Sequence, residues 1–509
     1  MAKWRFLIGL FSLILVACGL RFLQLGAKSL WFDEGYSAWI TTLDVPQIIQ
    51  VIRRDVSPPL YYLCLKGWVS LVGDGEAGLR SMSAVAACLA MGLVSAVAWR
   101  ITRERLATLG AAAVFGVSVL QIQYAQEARS YGLASLLAAL ALYGMVRRLE
   151  GVHGWLALML VAAGASVWLH NMMWFYLAGL NLAYLAAPGV VRLRRRVAEL
   201  AVLDGAVALA YWPWVPALLG QMQWLKGNFW APVPTLVDLG HVLAAVGGIK
   251  LLHVSAILPF AWLPAMLATV TLGGVVILSL RGKDRRRTRW AVAILLFGLL
   301  PILAVFAHAR FSQSYFVEKV FTASTLTMPL LVAIGIQGCR RGVGGALTAA
   351  MVGVILAASM VSVWGYFHWE PKEQWRDAAA YLNTFPREGT LVVFVANEPE
   401  YLYDYYTRQA GLTPLRRTGS PQSFFDLYPP RTIQRVLTPG DTQKLVGVIQ
   451  KTSPQRVLLV SSHTAYSDPN DYTRAMIAGR MIEGSVREFP HIQVREYLSR
   501  GAPGATRTP

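Results

Sequence analysis

The chain has 509 residues, 55% of them hydrophobic and only 15% charged, with 17 Trp, 20 Tyr, 19 Phe and a mean hydropathy of +0.46. Soluble globular chains carry about 25% charged residues, so this composition excludes a soluble enzyme, a disordered chain, a fibrous repeat and a disulfide scaffold. The net charge of +19 does not point to nucleic acid: residues 370–509 hold 17 Lys/Arg against 14 Asp/Glu, and the rest of the excess lies in short Arg runs between apolar segments, as in the cytoplasmic loops of membrane proteins.

A membrane span needs roughly 20 apolar residues. Hydropathy places spans near 5–25, 80–99, 106–122, 131–146, 155–170, 172–190, 198–216, 255–280, 290–308, 320–338 and 344–366, about eleven in all. Leu15-Val16-Ala17-Cys18 imitates a lipoprotein cleavage site, but the apolar run continues beyond it and reads as an uncleaved first span. With Lys3 and Arg5 inside, the runs at Arg100–Arg105, Arg147/Arg148, Arg192–Arg196, Arg281–Arg289 and Arg340/Arg341 all fall on the cytoplasmic side. An odd number of spans then puts the C-terminal region outside. The expected location is a cell membrane crossed many times, with the N-terminus on the cytoplasmic side.

Three outside segments are long enough to build something. Residues 26–80 carry Pro58-Pro59 and a half-apolar stretch, Leu60 to Val72, expected as a helix along the interface. Residues 217–254 carry Trp224 and Trp230, either belt residues or platforms for a sugar ring. From about 370, helices are expected over Gln374–Leu382, Pro399–Arg408, Asp441–Gln450 and Tyr472–Val486, with strands over Leu391–Val395, Arg456–Ser461 and Ile492–Tyr497. That alternation predicts a small α/β domain, ending in a disordered tail, 501–509. The four scattered cysteines, Cys18, Cys64, Cys88 and Cys339, show no metal-ligand spacing.

Acids near hydrocarbon are costly unless paired or used. Residues 1–369 hold 14 Asp/Glu, and six of them crowd the first outside loop: Asp33, Glu34, Asp44, Asp55, Asp74 and Glu76. Asp33-Glu34, flanked by aromatics just after the first span, could serve as a general base on a hydroxyl, ligate a metal, or cap a helix. Glu127 and Arg129 fall at the outer end of the third span, where the acid could bind a divalent cation or an acceptor and the guanidinium could grip phosphate through two N–H groups. The structural alternative is a Glu–Arg pair capping that helix. Tyr131, His170 with Asn171, and the outside cations Lys66, Arg80, Arg310 and Lys319 complete the candidates. Each of them has a bland reading as an interfacial anchor. Arg80 and Lys319 are the favoured phosphate partners.

The series Trp31-Phe32-Asp33-Glu34, Asp55-Val56-Ser57-Pro58-Pro59, Gly73-Asp74-Gly75-Glu76-Ala77-Gly78-Leu79-Arg80, Tyr124-Ala125-Gln126-Glu127-Ala128-Arg129-Ser130-Tyr131 and Pro371-Lys372-Glu373-Gln374-Trp375-Arg376 resembles bacterial relatives of the protein O-mannosyltransferases and of the aminoarabinose transferases. These are membrane glycosyltransferases of the C-type fold. The resemblance implies a transmembrane catalytic domain over 1–369 and an extracytoplasmic domain over 370–500. It also implies a polyprenyl-phosphate sugar as donor, an acceptor hydroxyl on a glycan, lipid or protein, and Asp33 as the catalytic base supported by Glu34. Asp55, Arg80, Glu127, Arg129, Tyr131, His170 and Lys319 then fall to substrate binding, with a Mg or Mn ion at Glu127 as a possible cofactor. Ser57 stands where many relatives have His, a departure that weakens the case for a metal. The competing class is a transporter or flippase of a lipid-linked sugar, which would carry ionisable groups in mid-membrane. Asp204 is the main such group here. A non-catalytic assembly protein would be expected to lose the Asp33 acid.

Overall fold

The computed structural model describes residues 2–226, 231–250, 273–280, 284–339, 342–369, 372–395, 397–426 and 436–500. Among them, seven helices are long and apolar enough to cross a membrane: Lys3–Phe22, Glu76–Thr102, Tyr131–Leu149, Leu193–Leu225, Arg285–Phe311, Glu318–Gly338 and Val343–His368. The pair Arg105–Gly116 and Val119–Ala125, bent by 53°, makes an eighth if it is one broken span. All eight overlap spans expected from hydropathy. Two other expected spans, 155–170 and 172–190, become helices Trp155–Leu169 and Met173–Ala186 of 15 and 14 residues, which are shorter than the bilayer core requires. The expected span 255–280 falls largely on 251–272, outside the described residues. The protein is therefore a multi-pass helical membrane protein, with seven or eight helices of full span length among the described residues.

Small residues let the central helices approach closely, the usual device where lipid supplies no hydrophobic drive between helices. Helices Glu76–Thr102 and Tyr131–Leu149 meet at Ser83 and Gly132, where an added Cβ would lie 2.8 Å from the Ser83 carbonyl oxygen. The Ser83 hydroxyl donates to the Arg129 carbonyl at 3.0 Å. This contact fixes the backbone that carries Arg129.

Between the first span and the second lie three shorter helices, Phe32–Thr41, Val45–Ile52 and Leu60–Val72. The last of these matches the expected interface helix. Asp44 starts the middle one, accepting from the Gln47 backbone N–H at 2.8 Å while Gln47 reaches back in a capping box.

The C-terminal region is a five-stranded sheet with strands β1 (Thr390–Val395), β2 (Arg416–Gly419), β3 (Arg456–Ser461), β4 (Ile482–Phe489) and β5 (Ile492–Leu498), in the order β2-β1-β3-β5-β4. The apolar run of β1 is buried along its whole length, as a strand between two parallel neighbours must be. The β4–β5 hairpin closes the antiparallel side. The expected helix over Tyr472–Val486 is corrected: it stops at Ala478, capped by Gly479, and the chain resumes as β4. Pairing with β5 overrides local helix propensity there. The expected disordered tail lies outside the described residues.

Helix Glu400–Gln409 packs the sheet domain onto helix Phe32–Thr41. Gly35 is what allows the approach, because a Cβ there would sit 2.3 Å from the Leu402 Cδ2. Tyr401 donates to the Phe32 carbonyl at 3.1 Å, and Tyr405 to the Asp74 carbonyl at 3.0 Å.

Candidate active site

The structure sorts the six acids of the first loop by what each one touches. Asp44 is a helix cap. Asp74 receives Arg408 at 2.8 Å and Gln409 at 3.0 Å. Glu76 receives Tyr406 at 2.6 Å and pairs with Arg376. Both therefore hold the sheet domain to the loop.

Glu34 is fully buried. Its carboxylate takes Arg80 Nε and Nη2, each at 2.7 Å, Lys372 at 3.2 Å and the Ala128 backbone N–H at 3.0 Å. Burial alone would raise its pKa, but Arg80 first and Lys372 second outweigh that and hold it down to about 2. Arg80 spends its remaining donors on the carbonyls of Leu25, Lys28 and Ser29 at 2.7–2.9 Å. A guanidinium offers five N–H groups, and all five are used. In this arrangement Arg80 has no N–H left for a further partner, and the Glu34 carboxylate is its counter-ion.

Asp33, on the first turn of helix Phe32–Thr41, differs from its neighbour. One carboxylate oxygen lies 2.9 Å from Lys319 Nζ and 3.8 Å from Arg129 Nε. Burial pushes its pKa up, but Arg129 and Lys319, with His463 beyond them, pull it down to about 2. Arg129 also donates to the Tyr62 hydroxyl at 3.2 Å, and its Nε–H is buried without an acceptor among the described residues. Lys319 rests over the Trp31 ring at 5.3 Å. Asp55 sits 3.5 Å from the Tyr62 hydroxyl, and burial raises its pKa to about 6 despite Arg129.

Two cavities share Lys319 of this ion cluster as a common wall. The first, about 320 Å³, is lined by Asp33, Arg129 and Lys319 together with Tyr131, His170 and an apolar set that includes Phe175, Leu218, Met222, Leu225 and Val305. His170 Nδ1 accepts the Met172 backbone N–H at 3.1 Å, so the neutral ring carries its proton on Nε2. Asn171 is spent on structure: it donates to the Val56 carbonyl and Gln221 and accepts from Tyr211. The second cavity, about 480 Å³, is lined by Trp31, Tyr124, Glu127, Lys319 and Tyr366, and on the sheet-domain side by Lys372, Glu373, His463 and His491. Lys319 lines both.

Glu127 is 4% exposed, and its Oε2 has no partner among the described residues. Burial pushes its pKa up to about 7, with Lys372 opposing. Among the described residues no three His, Cys, Asp or Glu side chains converge, and the nearby charges acting on Glu127 include the ammonium groups of Lys372 and Lys319.

Of the other outside groups, Lys66 donates to the Thr41 carbonyl at 3.0 Å and Arg310 lies over the Phe306 ring. Trp230 lies outside the described residues. The residues that sequence reasoning missed are Glu373 and His463. Glu373 accepts Trp375 Nε1 at 2.6 Å and the Phe32 backbone N–H at 3.3 Å, and lies 3.2 Å from His463 Nε2. The Lys372-Glu373 pair opening the sheet domain was a readable signal. Nothing local marks His463.

Neither a protein-family profile nor a curated protein matches this sequence. Solved structures do. The apo structure of ArnT from Cupriavidus metallidurans aligns over 99% of this chain and 100% of its own, with a TM-score of 0.58 at 14% identity. The same protein bound to undecaprenyl phosphate aligns over 97% and 98%, with a TM-score of 0.52 at 15% identity. The chain has the C-type glycosyltransferase fold. The likeness covers nearly the whole of this chain, from the first span through the sheet domain.

Proposed function

We propose that the protein is an inverting glycosyltransferase that moves a sugar from a polyprenyl-phosphate donor to an acceptor hydroxyl, on the outer face of a bacterial plasma membrane. The observation that carries this reading is the first cavity, where an apolar wall suited to an isoprenoid chain shares space with Arg129, Lys319 and Asp33. ArnT, which has this fold over its full length, has been captured with undecaprenyl phosphate. In the proposed reaction the acceptor hydroxyl attacks the anomeric carbon as Asp33 takes its proton. The bond from that carbon to the phosphate oxygen breaks, and its electron pair leaves with polyprenyl phosphate.

Charge then develops on the phosphate, where Arg129 and Lys319 can meet it. The same two cations hold Asp33 near pKa 2, which makes it a weak base while the site is empty. A donor phosphate drawing them away raises the basicity of Asp33 only once the donor is in place. The second cavity, polar and partly walled by the sheet domain, would admit the acceptor. Glu127, Lys372 and His463 would orient it there.

The transporter reading is less well supported. Asp204 is paired with Asn181 at 2.8 and 3.0 Å, and the unpaired groups gather at the loop ends instead. The test is Asp33→Asn in the native host. The lipid-linked sugar should accumulate and the glycosylated product disappear, at parent levels of folded protein. Product formed at the parent rate by that variant would remove Asp33 from the reaction.

A further inference from the structure

The Asp33 carboxylate is held by side chains of the transmembrane part, Lys319 and Arg129. Its backbone is held differently. Helix Phe32–Thr41 opens on Trp31, whose side chain makes no cap hydrogen bond, so the first N–H groups of the helix need partners from elsewhere. The sheet domain supplies one. Glu373 Oε2 accepts the Phe32 N–H at 3.3 Å, a carboxylate placed where the helix dipole favours negative charge. The Tyr401 hydroxyl donates to the Phe32 carbonyl at 3.1 Å. The rings of Tyr401 and His463 meet the Phe32 ring edge-on, with centroids 6.0 and 5.5 Å away.

The sheet domain thus holds the N–H, the C=O and the ring of a single residue, the one immediately before Asp33. Glu373 is itself fixed: Oε2 also accepts Trp375 Nε1 at 2.6 Å, and Oε1 lies 3.2 Å from His463 Nε2. The rest of the interface is different in kind. Arg408 with Asp74 and Arg376 with Glu76 join the domain to the start of the second span through half-exposed arginines, and neither pair touches the Asp33 helix.

We infer that Glu373 and Tyr401 are positioning residues, which set the Asp33 carboxylate for transfer by fixing Phe32, so that the sheet domain completes the active site. This rests on the reading of Asp33 as the base. A base must stand within hydrogen-bond reach of the proton it takes, and a misplacement of roughly 1 Å can cost about a hundredfold in rate. Arg129 and Lys319 stand on other elements, so donor binding does not depend on this contact.

The test uses the purified full-length protein. The donor is the polyprenyl-phosphate sugar fraction extracted from host membranes, the acceptor is the host cell-envelope fraction, and mass spectrometry follows the polyprenyl phosphate released. Tyr401→Phe deletes one hydroxyl, and Glu373→Ala deletes the carboxylate. Maximal turnover should fall about tenfold in the first and about a hundredfold in the second. The donor KM and the binding of undecaprenyl phosphate should stay within about twofold of the parent, as for a loss felt only in the transition state. Glu373→Gln should restore most of the turnover, since one amide oxygen can accept both N–H groups that Oε2 accepts. Arg408→Ala, which cuts a half-exposed contact of the same interface, should turn over like the parent.

Asp33→Asn measured beside them separates the two readings. If Asp33→Asn were inactive while Tyr401→Phe and Glu373→Ala ran at the parent rate, the positioning role would fall and the transferase reading would stand. An Asp33→Asn protein as active as the parent would sink the base assignment and the positioning role with it. A loss in Arg408→Ala equal to that in Tyr401→Phe would reduce the effect to docking and overturn the inference.

Discussion

Replacing Glu34 by glutamine removes the carboxylate that neutralises a fully buried guanidinium while leaving the volume almost unchanged. Arg80, itself fully buried, then keeps its three carbonyl partners but loses its counter-ion. Breaking a buried pair from one side costs about 3–5 kcal/mol. The pKa gives the same scale independently: a fall from 4.5 to about 2 corresponds to about 3 kcal/mol at neutral pH. Because the folded value is depressed, this stability is complete above about 4.5 and disappears as pH falls through about 2. Glu34→Gln should therefore unfold several degrees below the parent at pH 7 and converge on it in strong acid. The Glu34→Gln/Arg80→Met double variant should recover much of the loss at pH 7, since the stranded charge is gone. Thermal unfolding of detergent-solubilised protein reads all three. A Glu34→Gln protein as stable as the parent at pH 7 would refute the structural role given to the pair and reopen the case for a catalytic Glu34.

Three further predictions concern docking, a buried acid and orientation. Gly35→Val should loosen the sheet domain from the first loop, because a side chain there meets Leu402; limited proteolysis should cut ahead of Trp375 many times faster than in the parent. Glu127 has a raised folded pKa, about 7 against 4.5, so its burial destabilises the protein increasingly as pH rises from 4.5 through 7. Glu127→Gln should then match the parent in stability at pH 4.5 and exceed it at pH 8, by on the order of 3 kcal/mol, and equal stability at both values would contradict that burial. For orientation, in a cysteine-free background of intact cells, a membrane-impermeant thiol reagent should label Lys451→Cys and leave Arg194→Cys untouched; the reverse pattern would put the whole site on the cytoplasmic face.

Much of the bundle was legible because a span is written in contiguous residues. Each expected span that lies among the described residues is a helix, and the two that fall short, Trp155–Leu169 and Met173–Ala186, are short in length rather than apolar character. The sheet was legible where strands are buried along their length, as in Leu391–Val395 and Arg456–Ser461, and at Ile492–Tyr497, where buried and half-buried residues alternate at its start. It was not legible at β4, an exposed edge strand whose charged residues hide the alternation, or at the four-residue β2. At the site, the crowding of acids after the first span marked the loop that lines the first cavity, but residue pattern alone, without the family resemblance, does not separate Asp33 from Glu34. That separation is made by Arg80, 46 residues on, and by Lys319, 286 residues on. Arg80 looked like a free cation because the carbonyls that consume it belong to the turn at 25–29, which no pattern announces. Glu373 and His463 meet only when the sheet domain docks.

Binding of undecaprenyl phosphate to the purified protein tests the central claim most directly, since it asks for neither the sugar nor the acceptor. The account predicts saturable binding that falls at least thirtyfold when Arg129→Ala and Lys319→Ala are combined. Arg129→Lys should recover only part of it, because an ammonium lacks the paired donors. Arg80→Met should leave affinity unchanged in whatever fraction remains folded. Binding by the Arg129→Ala/Lys319→Ala protein at the parent affinity would place the lipid phosphate elsewhere and contradict the site described here.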